Sequence, residues 1–287
     1  VFRRLFSKLG INVTANEAPL VLVGAHHKTG TNWLANIFRG ISKKYDMEFH
    51  EGKQLDLEQQ HRIFFQDHSR FDTGSLQRPF RGIHLIRDPR DVIVSGCFYH
   101  QRSDEQWLHL KRHHYAGMTY QEKINSYSSP SDQILFEMEH IALLTIQEMH
   151  QWNYQQENFI EVKYEDLILD EDLHLFTEIF NFLGFDQKEL PALLEIAYNN
   201  SLFSGRVANS DHVRSGQKQQ WPQYFDKVHK QRFIELFGDI LIILGYEKDH
   251  QWAELPNDWT IAEPKFTDQG IDSILQHKND NLLNNTP

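Results

Sequence analysis

Pro19-Leu20-Val21-Leu22-Val23-Gly24-Ala25-His26-His27-Lys28-Thr29-Gly30-Thr31-Asn32-Trp33 is the stretch that decides how this chain folds. The apolar, β-branched run from Pro19 to Ala25 ends in glycine and a polar loop, the pattern of a buried parallel strand. Beyond the loop, Leu34, Ile37, Phe38 and Ile41 recur at i, i+3, i+4 and i+7, one face of a helix. Strand, glycine-containing turn and helix make a βα unit. Backbone N–H groups at such a helix start attract anions, and Lys28, Thr29, Thr31 and Asn32 add side-chain donors.

The same reading carries outward. Arg62 to Phe65, Gly82 to Ile86 and Phe159 to Tyr164 read as further strands. Asp88 fits an N-cap and Pro89 the first turn of a helix that continues through Val92 to Ser95. Ser131 to Gln151 reads as one long helix. Leu173 to Leu183 reads as another, stopped by Gly184, and Phe233 to Leu244 as a last one, stopped by Gly245. Glu105 to Tyr127, polar and rich in His and Tyr, reads as an irregular insertion or lid. Strands separated by helices predict a single α/β domain with a mostly parallel central sheet flanked by helices, a phosphate-loop-like nucleotide-binding fold. Ligands in such folds collect at the carboxyl ends of the strands, so the loops after Ala25 and Ile86 and around His68 are expected on one rim. One domain is expected over 19–250, after an N-terminal segment 1–18 and before a weakly patterned tail 251–287.

Composition narrows the function. A formal net charge of −11 over 287 residues argues against a general nucleic-acid binder, which needs a broad positive field. One cysteine, Cys97, excludes a disulfide framework and suggests a reducing, cytoplasmic setting. No apolar run approaches the roughly 18–20 residues that span a bilayer. The basic-apolar start Val1 to Leu9 lacks a sustained apolar stretch and reads as a surface helix, not a signal.

The loop invites comparison with the nucleoside-triphosphate loop G-x-x-x-x-G-K-S/T. Here Lys28 precedes Gly30, and no hydroxyl follows a Gly-Lys pair to hold Mg²⁺. An ATP-dependent kinase of that superfamily is therefore the alternative, and a non-enzymatic nucleotide-binding module is a third reading.

His27-Lys28-Thr29-Gly30-Thr31-Asn32-Trp33-Leu34 resembles the K-S/T-G-T-T/N-W-L loop of sulfotransferases that use 3′-phosphoadenosine 5′-phosphosulfate (PAPS), with His27 where that family has proline. Arg87-Asp88-Pro89-Arg90-Asp91-Val92-Ile93-Val94-Ser95 resembles the family's R-N/D-P-R/K-D-x-x-x-S segment. Arg214-Ser215-Gly216 and Trp221 resemble its R-K-G-x-x-x-x-W loop, with Ser215 in place of lysine. Tyr164-Glu165-Asp166-Leu167 and Ser201-Leu202-Phe203 resemble its Y-E-D-L and S/T-x-F segments.

The resemblance implies that the chain binds PAPS as co-substrate and releases adenosine 3′,5′-bisphosphate (PAP). It assigns the 5′-phosphosulfate to Lys28, Thr29, Gly30, Thr31 and Asn32, and the 3′-phosphate to Arg87, Ser95, Arg214, Ser215 and Gly216. It places Trp33, Tyr164, Ser201 and Phe203 at the adenine. Lysine suits charge developing on the departing phosphate oxygen, and an arginine fork suits phosphate oxygens. For the base, His68 at a strand end is favoured, with His26, His27 and His100 as alternatives. His109, His113 and His114 read as a solvated patch rather than a metal set. The acceptor is expected to be a small molecule, polar or cationic, with Trp107, Tyr115 and Tyr120 as candidate walls. The dimerisation segment of the family's animal cytosolic members is not reproduced around Phe225 to Val228, which leaves oligomeric state open.

Overall fold

Leu20–Gly24 is wholly buried, as a strand flanked on both sides must be, and it forms the centre of a parallel sheet. The computed structural model describes residues 19–205 and 219–253. Its strands are β1 (Leu20–Gly24), β2 (Glu48–Glu51), β3 (His61–Gln66), β4 (Phe80–Ile86) and β5 (Phe159–Lys163), in the order β2-β3-β1-β4-β5 with every pair parallel. The chain leaves β1 for β2 and β3 on one side and then crosses to β4 on the other. In open parallel sheets ligands bind at such a reversal, beyond the carboxyl ends of the strands. The fold is the α/β architecture with a parallel sheet flanked by helices that the sequence predicts.

The chain divides into two compact units. The first, described over 19–86 and 153–205, contains the whole sheet. Helix α1 (Thr31–Tyr45) buries Leu34, Ile37, Phe38 and Ile41, the stripe read from the sequence. These pack with Val21, Val23, Ile63, Phe65, Ile83 and Leu85 on one sheet face, together with Phe176, Ile179 and Phe180. β2 escaped the sequence reading because Glu-Phe-His-Glu is a half-exposed edge strand with no apolar run.

The second unit, described over 87–152 and 219–253, is helical. Helix α2 (Pro89–His100) starts on the Asp88 side chain, which accepts the Arg90 N–H. Helix α3 (Tyr120–Asn125) opens on a Thr119–Glu122 capping box. The expected helix from Ser131 to Gln151 is two, α4 (Pro130–Glu139) and α5 (Ile141–Gln151), broken at His140, whose backbone is non-helical (φ −125°, ψ −97°). No glycine or proline marks that break. The last predicted helix is also divided, with α9 (Lys227–Phe237) and α10 (Ile240–Ile243) separated at Gly238, which has φ 52°. Between α3 and α9 in sequence lie α6 (Tyr164–Leu167), α7 (His174–Leu183) and α8 (Leu190–Asn200), which belong to the first unit. Gly184 ends α7 in the left-handed conformation, as expected.

The stretch read as a lid is instead packed. Leu108, Tyr115, Tyr120 and Ile124 are buried, and the Tyr120 hydroxyl donates to Glu137 at 2.8 Å. Tyr115 and Tyr120 are core of the second unit rather than walls of an open site; burial holds both phenols well above their ordinary pKa.

Candidate active site

The turn after β1 is wound on one carbonyl. The His26 C=O accepts from the Thr29 N–H at 3.1 Å, the Thr29 hydroxyl at 2.8 Å and the Thr31 hydroxyl at 2.7 Å. The His26 N–H donates back to Thr29 Oγ1 at 2.9 Å. Lys28 sits at φ 66°, a left-handed conformation uncommon for lysine, and Gly30 follows at φ 108°. Gly30 is the N-cap of α1 but supplies no side-chain cap. The first N–H groups of a helix lack intrahelical acceptors, so this end is open to an anion. The hydroxyls of Thr29 and Thr31, expected as direct phosphate donors, both donate to the His26 carbonyl and frame the loop. Asn32 is exposed on the first turn.

The turn after β3 is stitched to this loop. The Ala25 N–H donates to the Gln66 carbonyl at 3.1 Å, and the Ser69 hydroxyl to the Ala25 carbonyl at 2.8 Å. A Cβ on Gly24 would lie 2.7 Å from Ser69 Oγ, so glycine is required for that approach. His68, between Gln66 and Ser69, is therefore carried on the same rim as Lys28. Its ring is partly exposed, with Nε2 3.9 Å from the Asp67 carboxylate.

Tyr164 begins α6 directly after β5 and meets Trp33 edge-on, ring centroids 5.9 Å apart. A Cβ on Gly30 would lie 3.0 Å from the Tyr164 ring, so the loop rests against that phenol. The Trp33 Nε1 is buried with no hydrogen-bond partner. An orphaned donor beside an anion loop fits a site completed by a polar ligand. Ser201 caps α8 and is fully buried, its hydroxyl donating to the Ala197 carbonyl at 2.7 Å. Phe203 is half-buried, packed on Tyr198.

In the second unit, the Arg-Asp-Pro-Arg-Asp segment is a knot. Arg90 is buried, bound through Nε and Nη2 to the Asp88 carboxylate at 2.9 and 2.7 Å and through Nη1 to Glu247 at 2.6 Å. Its guanidinium lies over Trp221 at 4.0 Å and Trp252 at 4.8 Å. Burial opposes the Arg90 charge, but Asp88 and Glu247 outweigh it and raise the pKa. Asp91 accepts three main-chain N–H groups, from Gln219 at 2.7 Å, Gln220 at 2.9 Å and Trp221 at 3.0 Å. Burial raises its pKa against the pull of the Arg87 guanidinium, 4.0 Å away. Arg87 is itself buried, and Ser95 is half-buried one turn beyond Asp91 on α2.

The structure thus joins Lys28, Thr29, Gly30, Thr31, Trp33, His68 and Tyr164 within the first unit, and Arg87 with Ser95 on one segment of the second. Arg214, Ser215 and Gly216 lie outside the described residues. Sequence reasoning missed Arg90 and Asp91 as anchors; the signal was two acids and an arginine crowded at a helix start. Among the described residues, no group of three His, Cys, Asp or Glu side chains could hold a metal ion, and no helix is long and apolar enough to cross a membrane.

The first βα turn of the parallel sheet is thus a candidate anion site, the N-terminus of α1 beside Lys28. The sulfotransferase domain family model matches residues 18–245, and the chain belongs to that family. It is accordingly an enzyme, a PAPS-dependent sulfotransferase, and not a kinase. The mouse sulfotransferase SULT7A1 complexed with PAP shares the fold at 15% identity and a TM-score of 0.51, over 83% of this chain and 89% of that one. Retinol dehydratase in complex with androsterone and inactive cofactor PAP is similar at 14% identity and a TM-score of 0.47, over 83% and 85%. No curated protein sequence matches the chain.

Proposed function

We propose that this enzyme moves the sulfuryl group of PAPS onto a hydroxyl or amine of a small, polar or cationic acceptor in the cytoplasm, releasing PAP. Residues 19–250 form the catalytic domain in this reading. Lys28 donates to the bridging oxygen as the S–O bond to the phosphate breaks and negative charge develops there. The open N-terminus of α1 and Asn32 hold the 5′-phosphosulfate, with Thr29 and Thr31 fixing the loop. His68 takes the acceptor proton as the new S–O or S–N bond forms. Arg87 and Ser95, with Arg214, Ser215 and Gly216, hold the 3′-phosphate; Trp33, Tyr164, Ser201 and Phe203 receive the adenine.

The observation that carries the reading is the Ala25 stitch, which ties the Lys28 loop to the His68 turn through Gln66 and Ser69. Incubation with sulfur-labelled PAPS and a panel of phenols, alcohols and amines tests it. Labelled product and stoichiometric PAP support the proposal. Phosphorylated product from ATP with Mg²⁺, and none from PAPS, overturns it.

A further inference from the structure

Buried polar side chains need partners, and three in the first unit form a chain. His84 lies in β4 on the sheet face opposite Ile83 and Leu85, with no exposed surface. Its register partner on β5 is Glu161, whose Oε2 is 2.5 Å from His84 Nδ1. The other ring nitrogen, Nε2, is 2.8 Å from Nε2 of His26, itself buried. The two rings meet edge-on, 83° apart.

Two ring nitrogens at that separation require one proton between them. A carboxylate only accepts, so His84 Nδ1 carries hydrogen toward Glu161. Burial pushes the His84 pKa down to about 3, which keeps the ring neutral and leaves Nε2 with its lone pair. Tyr154 packs on the same ring, centroids 5.8 Å apart. The shared proton therefore belongs to His26 Nε2. His26 is the residue whose carbonyl gathers the Lys28 loop.

We propose that Glu161, His84 and His26 are a positioning relay for the Lys28 loop. The carboxylate sets the His84 tautomer, His84 holds the His26 ring in its Nε2–H form, and His26 holds the carbonyl on which the loop is wound. The relay reaches the reaction through Lys28, so its catalytic consequence rests on the sulfuryl-transfer reading while its geometry does not.

The test has two arms. Nitrogen-15 NMR of histidine-labelled, nucleotide-free protein at neutral pH, assigned with His26→Gln and His84→Gln, is expected to show His84 as Nδ1–H and His26 as Nε2–H. The opposite tautomer on either ring, or a charged His84, overturns the relay. In the second arm, His84→Phe is expected to lower kcat about 10- to 100-fold through misplacement of Lys28, while PAP affinity changes far less. His84→Gln places an amide oxygen where Nε2 accepts and should restore most of the rate; Glu161→Gln should be milder than Glu161→Leu for the same reason. Wild-type kcat in folded His84→Phe, or a glutamine variant no better than phenylalanine, overturns the proposal. Should His84→Phe fail to fold, the NMR arm on the unaltered chain still decides. Failure of the Lys28 reading shows separately, as a Lys28→Ala protein that transfers sulfuryl at the wild-type rate while both tautomers stand as assigned.

Discussion

Asp91 accepts the main-chain N–H of Trp221 at 3.0 Å, and through this carboxylate the start of α2 fastens the chain just after residues 206–218. The same carboxylate takes the N–H groups of Gln219 and Gln220. Removing it strands three donors at once. Asp91→Ala should therefore lower unfolding free energy by about 3 kcal/mol. Burial opposes the Asp91 charge, so Asp91→Asn, which keeps an acceptor oxygen, should cost clearly less. Urea denaturation of both variants checks the order; equal losses contradict it.

Arg90 is held by shape as much as by charge. Its fork meets Asp88 twice and Glu247 once while its plane lies on two tryptophans. Arg90→Lys retains the charge and loses the fork and the stacking, so it should destabilise by about 2 kcal/mol or more. A shift in thermal midpoint measures this. An unchanged midpoint would mean that Asp88 and Glu247 do not need the planar donor.

In the proposed reading Lys28 and Arg87 divide the work on the nucleotide. Lys28→Ala is expected to reduce kcat about 100-fold or more, as loss of a charge-stabilising donor does elsewhere, with little change in PAP affinity. Arg87→Ala is expected to do the reverse. Parallel measurement of kcat and of PAP dissociation constants separates the roles, and equal effects of each change on both quantities would refute them.

His84 writes itself into the pH dependence of stability. Unfolded, its ring takes a proton near the ordinary value of 6.5; folded, only near 3. Its contribution is fully present above about 6.5 and is lost as pH falls toward 3, because only the unfolded chain binds the proton in that interval. The slope approaches 1.4 kcal/mol per pH unit, roughly the limit for one group. His84→Gln should flatten the acid limb of the stability curve, and an unaltered slope contradicts the burial of a neutral ring.

The βα unit at Leu20 was legible because the switch from an apolar run to a helical stripe is abrupt, and the Lys28 loop because its donors are contiguous. The break at His140 was not, since no glycine or proline announces it. Nor could sequence assign the hydroxyls of Thr29, Thr31 and Ser201, all three turned to main-chain carbonyls. The His84–Glu161 contact depends on strand register, which residues far apart in sequence do not reveal.

In the proposed reading this enzyme recognises a nucleotide by phosphates at both ends of its ribose. Calorimetric titration with PAP and with adenosine 5′-monophosphate isolates the 3′-phosphate. PAP is expected to bind about 10- to 100-fold more tightly, the worth of one or two charged hydrogen bonds. Equal affinities would contradict it.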